Sequence, residues 1–186
     1  YKGFGYVRTF SIASDGSTIQ QLAELKFDDE DARMIDIEQV ASDVFVLAYT
    51  GRSNDGFITT IKVSADGKTI TQPKKIEHDT ANAAGSRLIK VDSDTYALYY
   101  YSDGTYVKTF DIPADGSTIT EVAKVKSPNS ISIGTVYMGD FIKSDQGFYI
   151  AASTYGNNTY VTTWTISDDG KTIAQKKYHS ISNFKD

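Results

Sequence analysis

YVKTFDIPADGSTI, residues 106–119, decides the fold, because the chain writes the same pattern three more times. The other versions are YVRTFSIASDGSTI from Tyr6, FITTIKVSADGKTI from Phe57 and YVTTWTISDDGKTI from Tyr160. Each holds an Asp-Gly pair, at Asp15-Gly16, Asp66-Gly67, Asp115-Gly116 and Asp169-Gly170, followed by Thr and Ile. The pairs recur about every fifty residues, a period that belongs to repeat architectures. Within one copy, Phe57, Thr59, Ile61 and Val63 alternate with Ile58, Thr60 and Lys62, the period of two of a pleated strand. The Asp-Gly pair then turns the chain, since Gly accepts a positive φ and Asp bonds its own turn. Each copy therefore predicts a β-hairpin.

Between these copies lies a second repeated segment: IDIEQVASDVFVLAY from Ile35, LIKVDSDTYALYY from Leu88 and FIKSDQGFYIAAS from Phe141. Its turns fall at Ser42-Asp43, Ser93-Asp94 and Ser144-Asp145, and the runs Val44 to Tyr49 and Tyr96 to Tyr101 are apolar on both faces. Such runs predict strands buried between two neighbouring sheets. Two hairpins per period make a four-stranded antiparallel sheet, which buries too little surface to fold alone and must stack on its neighbours. The reading is an all-β fold of β-propeller blades, about three and a half of them. The expected boundaries are a half-blade at 5–28 and blades at 34–79, 87–127 and 139–179, in one segment spanning 1–186. A recurring large side chain, Phe10, Phe110 and Trp164 with Ile61 in the second copy, is expected to fill the wedge between blades. Propellers use about four to eight blades. The expected partners are therefore further blades of a longer chain or other protein subunits.

Composition narrows the function classes. The chain has 186 residues, 40% hydrophobic and 12% aromatic, which suits a folded β-rich domain. Its formal net charge of -5 and the absence of a Lys/Arg run argue against nucleic acid as a partner. No apolar stretch reaches the length of a membrane helix, so no membrane insertion is expected. With no cysteine, disulfides, thiol nucleophiles and thiolate metal sites drop out.

Two resemblances follow from these residues. SADGKTI at Ser64 and SDDGKTI at Ser167 resemble a shortened Asp-box, the turn of sialidase-type propellers, with one residue missing between Asp and Gly and Ile in place of the aromatic. A sialidase-like site would need converging arginines, and the chain has only Arg8, Arg33, Arg52 and Arg87, so the resemblance implies the turn and not that activity. VDSDTYALYY, the strand Gly-Tyr/Phe-Val/Ile-x-Thr-Phe and the EHDT at Glu77 resemble the tandem repeats of large propeller proteins from marine bacteria, archaea and their phages. That resemblance implies an extracellular, cell-surface or virion location and a role in adhesion or assembly.

The strands repeat while the loops at one end of the blades diverge, as in a scaffold whose loops carry the contacts. Candidate ligand residues there are Arg52, Asn54, Asp55, His78, Asp103, Tyr155, Asn157 and Asn158. Amides beside an aromatic or a guanidinium suit sugar hydroxyls and a sugar's apolar face, and Asn is also an ordinary turn residue. Asp28, Asp29 and Asp31, with Glu30, are the candidate oxygen ligands for Ca²⁺, although the run lacks the alternating spacing of a known calcium loop. No other cofactor is expected. His78 and His179 are the only histidines, so zinc is not expected. No nucleophile elbow or other catalytic constellation stands out. The functional expectation is a non-enzymatic structural or adhesive scaffold. The alternatives are a carbohydrate-binding lectin, with glycans as partners, and a glycoside hydrolase or lyase of propeller type.

Overall fold

The computed structural model describes residues 3–129, 136–155 and 158–182. Fourteen strands follow one another: β1 (Gly5–Ile12), β2 (Ile19–Asp28), β3 (Arg33–Ala41), β4 (Val44–Thr50), β5 (Gly56–Val63), β6 (Ile70–Asp79), β7 (Ala84–Lys90), β8 (Thr95–Tyr101), β9 (Thr105–Asp111), β10 (Thr120–Lys126), β11 (Val136–Lys143), β12 (Tyr149–Tyr155), β13 (Asn158–Ile166) and β14 (Ile173–Ser182). A short 3-10 turn, Arg52–Asn54, lies between β4 and β5. The strands pair with their sequence neighbours into one two-stranded sheet, β1-β2, and three four-stranded antiparallel sheets, β3-β4-β5-β6, β7-β8-β9-β10 and β11-β12-β13-β14.

Turn chemistry sets the hairpin ends. Asp15 and Asp115 each accept the amide and hydroxyl of the Ser two residues on, while Asp66 and Asp169 accept the preceding Ser hydroxyl and the following Lys amide. The glycine beside each has φ between 67° and 72°, the left-handed region that a side chain would strain. Beyond each turn the ladder shifts register, between Thr9 and Phe10, Thr60 and Lys62, Glu121 and Ala123, and Thr163 and Trp164. The bulge is thus part of the repeat, and it bends and twists each outer hairpin alike.

Three apolar clusters lie between the sheets. The first joins Leu25 and Phe27 of the two-stranded sheet to Leu47, Tyr49 and Ile61. The second joins Val44, Val46 and Ile58 to Tyr96, Tyr100 and Phe110, and the third joins Ala97, Tyr99 and Val107 to Tyr149 and Trp164. The second strand of each sheet therefore points alternate side chains into two different cores, which is why Val44 to Thr50 and Thr95 to Tyr101 are almost wholly buried. Ile61, Phe110 and Trp164 each point back onto the preceding sheet and are essentially inaccessible. Phe10 differs from expectation: it occupies the same position but is 50% exposed. Its backward direction meets no sheet among the described residues.

Hydrogen bonds repeat across these cores. The hydroxyls of Thr9, Thr60 and Thr109 donate to the carbonyls of Gly67, Gly116 and Gly170 at 2.5, 2.7 and 2.7 Å. A threonine of one sheet thereby grips the Asp-Gly turn of the next. At the opposite edge, β7 lies against β3 on one side and β11 on the other, the closest approaches between strands of different sheets among the described residues. They form the inner edge of a fan of sheets, the side on which a propeller has its central channel.

Candidate functional site

Two of the loops that carry predicted site residues, 28–33 and 51–56, lie side by side. Glu30, Asp31, Arg52 and Ser53 line a surface cavity of about 320 Å³. Arg52 pairs with Glu30 at 2.7 Å, Arg33 donates to Asp31 at 3.0 Å, and Arg33 also donates to the Asn54 side chain at 2.8 Å. Asp55 acts through its backbone, its carbonyl accepting from Gly51 and its amide donating to Arg52. The polar groups of this loop cluster mainly bond one another.

Asp28 is occupied rather than open. One carboxylate oxygen accepts the amides of Glu30 and Asp31; the other accepts Tyr49 at 2.7 Å and Lys75 at 2.7 Å. Burial acts to raise its carboxyl, but the bonds from Lys75, the Glu30 amide and Tyr49 outweigh it and hold the group below the usual carboxylate range. Asp29 is exposed beside it. Among the described residues, no three acidic or histidine side chains are grouped so as to hold a metal ion.

One repeat later the same arrangement returns. Asp79 accepts Tyr100 at 2.6 Å, Lys124 at 3.3 Å, Ser102 at 3.2 Å and the Ala81 amide. In both copies an acid at the end of one sheet is bonded by a Tyr and a Lys of the next. Asp103 bonds Tyr106 and Lys126. In the following copy Ser127, Ser153 and Tyr178 take the places of acid, Tyr and Lys, and Ser127 bonds Gln175 instead.

His78 lies on strand β6 and not in a loop. Its ring occupies the place that Phe27 has one repeat earlier: Phe27 meets Tyr49 edge-on and His78 meets Tyr100 edge-on, each beside a glycine, Gly5 or Gly56. Neither ring nitrogen has a hydrogen bond among the described residues. Burial, and then the Lys108 cation, push its pKa down to about 3, so the ring is neutral at physiological pH. His78 packs as an aromatic, and its backbone carbonyl accepts from the buried Lys108. Asn158 opens β13 opposite Tyr155. Asn157 and the side chain of Tyr155 lie outside the described residues.

A further opening lies at the inner edge, where sequence reasoning put no site. A cleft of about 530 Å³ is lined by Asp36, Glu38, Lys90, Asp140 and Lys143 together with apolar residues of β3, β7 and β11. Asp36 and Glu38 share the forward face of β3, being paired with Ala48 and Val46. The amide of Leu88 donates to Asp36 at 2.6 Å and fixes it. Lys90 reaches the Val40 carbonyl at 3.4 Å and lies over the Tyr96 ring, and Lys143 reaches the Val91 carbonyl at 3.2 Å over Tyr149. Burial, and then the Asp36 charge, raise the Glu38 carboxyl above its ordinary value, with Lys90 opposing them. The cleft thus combines a carboxylate of raised basicity with two mobile-stemmed cations. The signal available in the sequence was the alternation Asp36-x-Glu38 opposite the lysines that open the later Ser-Asp hairpins.

Neither a protein-family model nor a curated protein matches the sequence. Solved structures do. A protein from Lactobacillus plantarum is similar with a TM-score of 0.69 at 15% identity, over 93% of this chain and 48% of its own. A Bacteroides fragilis protein assigned as a 6-phosphogluconolactonase is similar at 0.59 and 14%, over 98% of this chain and 59% of its own. The periplasmic gluconolactonase PpgL of Pseudomonas aeruginosa is similar at 0.50 and 9%, over 95% and 64%. The chain spans less than two thirds of the length of each.

These likenesses correct the functional expectation. Two proteins sharing this chain's fold carry the names of lactonases, so the fold hosts enzymes and the exclusion of catalysis, with the non-enzymatic scaffold built on it, does not stand. What the loops suggested was a binding surface; what escaped notice was the inner cleft. The structure is all-β, its four-stranded antiparallel sheets are arranged as propeller blades, and its solved neighbours are propeller-like.

Proposed function

We propose that the chain belongs to a β-propeller hydrolase that opens the lactone ring of a sugar acid, with its site in the cleft between β3, β7 and β11. The observation that carries this reading is the Glu38 carboxyl, raised by burial and by Asp36, in the same cleft as Lys90 and Lys143. The lactonase names of two fold neighbours supply the substrate class.

The chemistry divides among these residues. Glu38 takes a proton from water as the oxygen attacks the lactone carbonyl, a task favoured by a base whose pKa lies closer to neutrality. The carbonyl oxygen becomes an oxyanion, which the Lys90 ammonium stabilises in the partly dry cleft. When the ring C–O bond breaks, the leaving alkoxide takes the proton back from Glu38, and the product is the open hydroxy acid. Asp36, held by the Leu88 amide, keeps Glu38 basic. Asp140 and Lys143 are exposed at the mouth, where sugar hydroxyls would bond. Glu38→Gln should abolish lactone opening while the thermal transition stays in place; activity retained in that variant would overturn the assignment.

The location we propose is extracellular, at the cell surface or virion-associated, supported by the resemblance of the repeats to marine propeller proteins and by the periplasmic location in one neighbour's name. No helix among the described residues is long and apolar enough to cross a membrane. Fractionation of producing cells tests this, and recovery in the cytosol would refute it.

A further inference from the structure

One cross-strand pair of the inner hairpins varies in step from sheet to sheet. It is Gln39 with Phe45 in the first four-stranded sheet, Lys90 with Tyr96 in the second and Lys143 with Tyr149 in the third. A lysine therefore comes with a tyrosine, and the glutamine with a phenylalanine. The Lys90 ammonium reaches the Val40 carbonyl at 3.4 Å and lies 5.6 Å from the centre of the Tyr96 ring. Lys143 repeats this with the Val91 carbonyl at 3.2 Å and the Tyr149 ring at 5.4 Å. Gln39 instead bonds the carbonyl of Ala41.

The two lysine copies differ in their surroundings. The Tyr96 hydroxyl reaches the same Val40 carbonyl at 3.5 Å, and burial raises its pKa while a hydrogen bond with Lys90 opposes the rise. The Tyr149 hydroxyl is buried with no hydrogen bond among the described residues. Opposite Lys90 stands an acid. Glu38 pairs with Val46 and Lys90 with Tyr96, and Val46 and Tyr96 share one core, so the two side chains face the same gap. Opposite Lys143 stands Ile89, which packs against the core that holds Tyr149.

We propose that Tyr96 is the positioning residue of Lys90, its ring and hydroxyl holding the ammonium on the Glu38 side of the inner cleft. A lysine is a point charge on a flexible four-carbon stem, and a charge stabilises an oxyanion best when it is fixed beforehand. Tyr96 is wholly buried, so its ring is a rigid wall for that stem. The catalytic part of this role rests on the lactone-opening reading; Tyr96 touches no substrate and acts only through Lys90.

Tyr96→Phe is the test, because Phe45 shows that the position accepts that ring. The variant should lower kcat for lactone opening about tenfold with KM unchanged. Tyr149→Phe, with Ile89 opposite its lysine, should keep the parent kcat. Lys90→Gln combined with Tyr96→Phe, which copies the pair of the first four-stranded sheet, should be no slower than Lys90→Gln alone. A second readout needs no substrate: in NMR spectra the two ε protons of Lys90 should be distinct in the parent chain and merge in Tyr96→Phe. Ε protons that stay distinct in Tyr96→Phe, or an active parent whose kcat Tyr96→Phe leaves unchanged, would overturn the proposal. A parent chain without lactone turnover would sink the hydrolase reading, and the ε protons would then decide whether Tyr96 holds Lys90.

Discussion

The hydroxyl of Tyr100 donates to the carboxylate of Asp79 at 2.6 Å, and the bond crosses from one sheet to the next. Tyr49 and Asp28 make the same bond one repeat earlier. Burial, and then the bonded Asp79, raise the Tyr100 hydroxyl well above its ordinary value, so it remains a donor at any physiological pH. Tyr100→Phe removes the donor and leaves a buried carboxylate with less support. The expected cost is about 1.5–3 kcal/mol, read from chemical denaturation. An unchanged midpoint would show that the bond contributes nothing.

The position shared by Phe27 and His78 sets up a pH experiment. With a folded pKa near 3 against an ordinary 6.5, His78 stays neutral in the folded chain while the unfolded chain takes up a proton below about pH 6.5. The stability it supports is therefore present above pH 6.5 and declines as pH falls toward 3, by up to about 1.4 kcal/mol per unit. His78→Phe puts in the ring that the equivalent site already accepts. It should flatten the decline between pH 6 and 4 without loss at pH 7, measured by denaturation across that range. An equal slope in both proteins would contradict the buried neutral imidazole.

The acids behave differently. Asp28 and Asp79 are both held below the ordinary 3.8, their hydrogen bonds and lysines outweighing the effect of burial. Their contribution is complete above about pH 4 and lost as pH falls through the lowered values, a window below that of His78. Asp28→Asn should lower stability at pH 6 and reduce the acid sensitivity below pH 4. Matching acid-unfolding curves for variant and parent would refute the assignment.

The threonine latch predicts a contrast between copies. Thr109→Val loses a bond to the Gly170 carbonyl and should cost about 1 kcal/mol. Thr163 holds the same position in the last sheet with no such bond among the described residues, so Thr163→Val should leave unfolding unchanged. Glycine substitutions should separate in the same way: Gly116→Ala combines a positive φ with a Cβ 2.8 Å from Val44, whereas Gly16→Ala meets only the φ cost. The first should be the more damaging by at least about 1 kcal/mol. Equal costs would mean that the turn does not press on the preceding sheet.

The fold was legible because it is local and repeated. Asp-Gly turns, period-two strands and apolar runs such as Tyr96 to Tyr101 are each read within a few residues, and the structure builds hairpins at all of them. The bonds between sheets were not legible. Tyr100 and Asp79 are a whole hairpin apart, and nothing in either residue's neighbourhood names the other. His78 was misplaced in a loop because a polar type masked an aromatic position; its alignment with Phe27 was the available sign. The inner cleft escaped for a similar reason, since Asp36, Glu38, Lys90 and Lys143 come from three sheets and meet only through the stacking.

Lactone turnover is the direct measure of the central claim. Hydrolysis of a sugar-acid δ-lactone by this chain, followed as acid release at constant pH, should exceed the uncatalysed rate, saturate with substrate and rise with pH as the Glu38 carboxyl ionises. Glu38→Gln should reduce it at least about a hundredfold. A rate no greater than that of the solution alone, or one that Glu38→Gln leaves intact, would contradict the account.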